Sequence, residues 1–170
     1  MVAARVTPVR SAMALGEAAL RPLLASCGED LAGRRDRALF LLAQASGLRR
    51  AELVALDREQ LRFTAAGVVL EIGQDVLELA RSPDSDRCPV CALEVWLRQA
   101  RIDYGAVFRR VTAAGTLENR LSPQGVWRIL RRRAGLARLR VPVGSRLSPD
   151  GLRASPRAPA ALPASPPRRQ

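Results

Sequence analysis

The sequence predicts an α+β fold, mainly α-helical, with a small three-stranded antiparallel sheet. Three observations carry that expectation. The run Ala38-Leu39-Phe40-Leu41-Leu42-Ala43 is apolar on every side and ends before Gly47, the mark of a buried central helix closed by a glycine cap. Between 60 and 79, three short β-branched and aliphatic runs alternate with turn residues, as strands of a meander do. Later, Ser122-Pro123 precedes Val126, Ile129, Leu130 and Ala134; a serine cap, a first-position proline and helical spacing define an amphipathic helix. A chain of 170 residues suffices for one domain with a real core.

In chain order, residues 1–11 read as a flexible lead, 12–153 as the domain and 154–170 as a tail. Ser11 is the expected cap of a first helix carrying Ala18, Ala19, Leu20, Leu23 and Leu24, weakened by Gly16 and Pro22. Asp30 and Gly33 precede the central helix, expected over 34–46, and a further helix takes 50–56. Strands are expected over 60–64, 68–72 and 76–79, with turns at Ala65-Ala66-Gly67 and Gly73-Gln74-Asp75. Pro89 opens the next helix, whose apolar face is Ala92, Leu93, Val95, Trp96 and Leu97. Val107-Phe108 reads as a short extended piece and Gly115 as a turn. In the helix after Ser122, the arginines Arg128, Arg131, Arg132 and Arg133 are expected to face outward, and Gly135 to end it. Residues 154–170 hold five prolines among Ala, Ser and Arg, too little apolar surface to order a chain, and read like GC-rich DNA translated out of frame.

Composition narrows the function. The formal charge is +12, and every basic residue is arginine. Arginine in place of lysine fits a GC-rich codon bias, but the net excess points to a polyanionic partner, most often nucleic acid. The planar guanidinium grips phosphate oxygens in pairs, which a lysine point charge does not. With no histidine, Ser-His and Cys-His catalytic pairs and imidazole metal ligands are excluded. Without lysine, Schiff-base chemistry and the P-loop lysine are excluded. Cys27, Cys88 and Cys91 make an odd, low count that fits a reducing cytoplasm. No run has the roughly 20 apolar residues of a membrane span, and Gly16 and Glu17 cut the N-terminal apolar stretch too short for a signal peptide.

Three motifs stand out. In Ser46-Gly47-Leu48-Arg49-Arg50-Ala51-Glu52-Leu53 an arginine follows a helix cap at the start of the next helix. Helix N-terminal N–H groups favour an anion, and a guanidinium beside them suits phosphate; the plainer alternative is an exposed arginine braced by Glu52. The helix with Arg128, Arg131, Arg132 and Arg133, supported by Arg109-Arg110 and Arg138, suits phosphate contacts or is simply a solvated face. Cys88-Pro89-Val90-Cys91 has the spacing of a redox pair or of half a zinc site. Zinc needs four ligands, and neither a second pair nor a histidine is present, so the spacing reads as fortuitous.

The first of these motifs resembles the first active-site box of the tyrosine recombinases, the phage-integrase family. Arg35-Asp36-Arg37-Ala38-Leu39 resembles the family's approach to the preceding helix, and 57–72 its first strands. The likeness runs from about 7 to 153. It implies an integrase-type catalytic domain in which Arg49 holds the scissile phosphate. In Leu147-Ser148-Pro149-Asp150-Gly151-Leu152-Arg153-Ala154, Arg153 matches the arginine of the family's His-x-x-Arg box, while Asp150 stands where the histidine belongs. A carboxylate there repels phosphate. The family's hairpin lysine, which protonates the leaving 5′-oxygen, has no counterpart at Gly73-Gln74-Asp75. Its nucleophilic tyrosine follows the second arginine box, whereas the only tyrosine here is Tyr104, expected to pack between the Trp96 helix and Val107-Phe108.

The resemblance therefore implies an incomplete domain, its C-terminal part and the family's N-terminal DNA-clamping domain missing. It implies a role in DNA integration and recombination with a vestigial phosphate-binding pair, Arg49 and Arg153, and no strand cleavage. DNA is the expected partner, with no metal, cofactor or membrane. Two rivals remain: a non-catalytic DNA-binding protein that modulates an intact recombinase, and a basic interaction protein with no DNA role.

Overall fold

The computed structural model describes residues 17–140. The expected Ser11 cap, the flexible lead, Asp150, Arg153 and the 154–170 tail lie outside these residues. The first helix described is α1, Glu17–Ala25, which carries Pro22 internally. Leu20, Leu23 and Leu24 are its buried side.

The central helix α2, Leu31–Ser46, starts a turn earlier than the sequence suggests. The Asp30 carboxylate accepts the Gly33 N–H at 2.9 Å, so Gly33 belongs to the first turn rather than preceding it. A Cβ on Gly33 would run into the Gly28 carbonyl, which is why glycine stands there. Ala38 to Leu42 are buried without interruption, as the all-round apolar run requires. Gly47, at φ 65°, closes the helix by donating its N–H to the Ala43 carbonyl. This left-handed cap turns the chain into α3, Arg50–Ala55.

A three-stranded antiparallel sheet follows, with β1 (Leu61–Phe63), β2 (Gly67–Ile72) and β3 (Asp75–Ala80) side by side in that order. Leu70 pairs with Leu61 on one side and Leu77 on the other. Val68 and Leu70 are buried while Glu71 is exposed, so alternation sets the register. The helix α4, Pro89–Ala100, lies along α2 and buries Val90, Leu93, Trp96, Leu97 and Ala100. The Trp96 indole donates to the Val107 carbonyl at 2.8 Å, satisfying the one polar atom of the largest core residue.

Two expectations change after α4. Tyr104 does sit between Trp96 and Val107-Phe108, but it is 80% exposed. Ile102 is buried there instead, and Glu59 holds the neighbouring Gly105 N–H, turning the loop outward. The expected extended piece at Val107-Phe108 is instead a buried bend, and the strands lie beyond it: β4 (Arg109–Val111) pairs antiparallel with β5 (Leu117–Arg120), joined through a turn with Gly115 at φ 79°.

The last described helix is α5, Pro123–Leu136, capped where Ser122 Oγ accepts the Gly125 N–H at 3.0 Å. It runs one residue past Gly135. Its buried side is Val126, Ile129, Leu130, Arg133 and Ala134. Arg133 thus falls on the inner stripe, not the outer face expected of it. Spacing explains this: 133 lies one turn beyond 129 and 130.

Candidate nucleic-acid interface

Arg49 is the N-cap of α3, with extended backbone at φ −77° and ψ 162°. Glu52 does not brace its guanidinium as expected. The carboxylate accepts the Arg49 backbone N–H at 2.6 Å, and the Arg49 side chain is exposed with no hydrogen bond or ion pair among the described residues. Its neighbour Arg50 behaves oppositely. It is buried, and its Nη1 donates to the Pro123 carbonyl at 3.4 Å. Burial lowers its pKa, and its Nε finds no acceptor. Arg50 so ties the start of α3 to the first residue of α5. Arg120 supports the same junction from β5. It donates to the Val54 carbonyl at 2.8 Å and to the Asp57 carboxylate at 2.5 Å, filling the orphan carbonyls at the end of α3.

The second anchor is a buried ionic cluster. Asp36 on α2 is wholly buried. Its Oδ1 accepts Arg35 Nε at 2.9 Å and Arg35 Nη2 at 2.6 Å. Its Oδ2 accepts Arg132 Nη2 at 3.1 Å and Arg133 Nε at 2.8 Å. Arg133 also donates to the Ser26 carbonyl at 2.6 Å. The carboxylate thereby joins α2 to α5 and explains how an arginine can occupy the inner stripe: a buried charge is tolerated when paired and hydrogen-bonded.

Above this cluster opens a cleft of about 390 Å³ lined by Arg35, Arg110, Arg128, Arg132, Ser122 and Gly125. It lies at the N-terminal end of α5, where backbone N–H groups add partial positive charge. The side chains of Arg110 and Arg132 are 67% and 56% exposed although paired with Glu118 and Asp36. Arg128 and Arg131 are exposed with no partner among the described residues. The cleft is lined by four arginines, and only two carboxylates, Glu118 and Asp36, pair with them, so positive charge is left over. Helical geometry puts 128, 131 and 132 within an arc of about 100°.

Of the residues singled out in sequence, Arg128, Arg131 and Arg132 share one exposed side of α5, and Arg49 is exposed at the start of α3. Arg133 is withdrawn into the core, and Arg153 lies beyond the described residues. Sequence reading missed Arg35 as a cleft residue. Its only signal was the Arg35-Asp36 charge pair inside an apolar helix. Among the described residues no cluster of three His, Cys, Asp or Glu side chains could hold a metal. No described helix is long and apolar enough to cross a membrane.

No protein-family model matches the chain. Curated relatives do. An integrase/recombinase XerD homolog of Selenomonas ruminantium is 36% identical over 121 residues, covering 65% of this chain and 36% of that protein. Tyrosine recombinase XerC of Pseudomonas aeruginosa is 37% identical over 141 residues, 81% of this chain and 42% of its own length. XerC of Azotobacter vinelandii is 37% identical over 130 residues, 75% and 39% respectively. The chain thus spans about two fifths of the length of the curated relatives it matches. The mainly helical domain, its small antiparallel sheet and these likenesses agree: the chain is related to the tyrosine recombinases and has a domain of their catalytic type.

Proposed function

We propose that this chain grips the phosphates of duplex DNA in site-specific recombination without cutting a strand. The observation that carries this reading is the arginine-lined cleft at the start of α5. Its leftover positive charge and its exposed guanidinia suit a polyanion. Arg128 in the cleft and Arg131 beside it on the same exposed side of α5 are the contacts, Arg132 a partial one shared with Asp36, and Arg49 the phosphate clamp at the start of α3. By the family resemblance Arg153, outside the described residues, would be the second arginine of that clamp. Such contacts release counterions and give affinity without sequence choice.

The absence of cleavage rests on chemistry inside the chain. Protonating a leaving oxygen needs a group with a pKa near the working pH, and an arginine holds its proton too tightly. The β2–β3 turn offers Gly73, Gln74 and Asp75, and the sequence contains neither lysine nor histidine. The Asp150 carboxylate adds repulsion where the family's imidazole would help. Tyr104, in the α4–β4 connection, is 46 positions before Asp150 in the chain, so it does not follow the second arginine box as a nucleophile would.

A fluorescently labelled duplex with a nick tests both halves. Binding is expected at low salt, and no DNA–protein adduct should survive denaturation. Arg128→Ala and Arg131→Ala should each weaken binding about tenfold, the low end for a charge-assisted contact of ~1.5 kcal/mol. Absence of binding at low salt would overturn the DNA reading. An adduct would overturn the non-cleaving half alone.

A further inference from the structure

The Cys-x-x-Cys motif is more organised than its spacing alone suggested. Cys88 is the N-cap of α4, with extended backbone at φ −78° and ψ 113°. From there its side chain folds back over the first turn. Its Sγ accepts the Cys91 N–H at 3.3 Å and the Ser82 N–H at 3.3 Å. The sulfur takes the place of a serine or aspartate oxygen in capping the helix, and so lies against Cys91. On the other side, Arg81 Nη1 donates to Cys91 Sγ at 3.4 Å. Arg81 is held in place by a two-pronged pairing with Glu94, at 2.9 and 2.7 Å. Cys88 is fully buried. Cys91 is partly exposed and lines an open cleft of about 450 Å³ with Arg34, Arg37, Ala92 and Val95. One thiol is sealed in, the other reachable, and a cation sits on the reachable one.

The two thiols are linked. Burial pushes the Cys88 thiol up, but the hydrogen bonds it accepts from the Cys91 thiol and from the N–H groups of Cys91, Ser82 and Val90 outweigh burial and lower it. Donation to Cys88, with burial, raises Cys91, while Arg81 pulls the other way. The contact between the thiols thus runs from the reachable sulfur to the sealed one.

We propose that Cys88 and Cys91 are a reversible dithiol–disulfide site at the start of α4, oxidised by a small organic disulfide entering the cleft beside Cys91. Cys91 releases its proton to solvent and, as a thiolate facing Arg81, attacks one sulfur of the incoming disulfide. The S–S bond of that disulfide breaks and one thiolate leaves, taking up a proton. Cys88, giving up its proton, then attacks Cys91 Sγ and expels the second small thiol. Two protein thiols become one disulfide and one small disulfide becomes two thiols, so electrons and protons balance. The capping hydrogen bonds favour the reduced sulfur, which makes the disulfide easy to reduce again. Cys27 is no competitor. It is buried, and burial followed by the Asp36 charge pushes its thiol up to about 11.

The test is the intact mass of the full chain after incubation with glutathione disulfide and acid quenching. The expected product is lighter by two hydrogen atoms, carries no adduct, and on digestion yields a Cys88–Cys91 linked peptide. Dithiothreitol should restore the starting mass. Cys27→Ser should behave as the parent, and Cys88→Ser should stop with one glutathione on Cys91. A parent chain that stays unreacted, retains a glutathione on Cys91, or only cross-links to a second chain would overturn the proposal.

Discussion

At the residue scale, arginine identity and arginine position disagree, and position wins. Arg131 and Arg133 are two residues apart on α5, yet one is exposed and the other is buried against Asp36. Asp36→Ala would leave Arg35 and Arg133 buried without a counter-charge, at a cost of about 3–5 kcal/mol. Arg131→Ala should change stability by less than about 0.5 kcal/mol. Urea midpoints of the two variants measure this, and equal losses would refute the buried cluster. The place of Arg133 was legible in the spacing 126, 129, 130, 133, 134; expecting every arginine outward hid it. The pairing with Asp36 was not legible, because the partners are 97 positions apart. A second residue-scale consequence concerns acid. Hydrogen bonding from Arg81 outweighs burial and holds the Glu94 carboxyl below its ordinary 4.5, with help from nearby Arg81 and Arg98 charge. Its stabilising effect is thus complete above pH 4.5 and lost as pH falls through the lower, folded value. Glu94→Gln should lessen the fall in stability below pH 4.5 relative to the parent. Parallel acid limbs in the two urea series would remove the Arg81–Glu94 pair from the account.

At the element scale, caps were the most readable feature, since a cap is a local event. Gly47, Pro89 and the Ser122-Pro123 pair mark boundaries that the structure reproduces, and Asp30 caps α2 one turn before its predicted start. The β4–β5 pair was the least readable. Arg109-Arg110-Val111 and Leu117-Glu118-Asn119-Arg120 bury little, so no apolar alternation announced them. They hold because Leu121 N–H reaches the Phe108 carbonyl at 2.8 Å and Arg109 Nε the Glu118 carbonyl at 2.7 Å, contacts that only the fold creates. Two elements invite direct tests. Ser122→Ala removes the acceptor for the Gly125 N–H and should cost ~1 kcal/mol, read as a lower melting temperature. Gly67 is a stricter constraint, because a Cβ there would collide with the Leu79 carbonyl oxygen across β2 and β3. Gly67→Ala should therefore destabilise by more than Ser122→Ala. The reverse order would mean that the sheet yields more easily than its backbone contact suggests.

At the scale of the whole molecule, the net charge of +12 favours a polyanionic partner without saying where one would sit. The cleft draws Arg35 from α2, Arg110 from β4, and Arg128 and Arg132 from α5, and no local pattern in the sequence joins those positions. The sequence reached one part of it, the arginine side of α5, because helical spacing is local. This division of labour makes a quantitative prediction. If binding is to phosphates alone, the logarithm of the association constant falls linearly with the logarithm of salt, with a slope of about −0.9 for each phosphate neutralised. Removing Arg128 and Arg131 together should make the slope shallower by about 1.8, by the same amount on unrelated duplex sequences. Arg132→Ala should shift it less, since that guanidinium is shared with Asp36 at 3.1 Å. Anisotropy titrations at several salt concentrations give these slopes. A slope unmoved by the double substitution would place the DNA on another face of the protein. A change confined to one duplex sequence would mean that the α5 arginines read bases instead of holding the backbone.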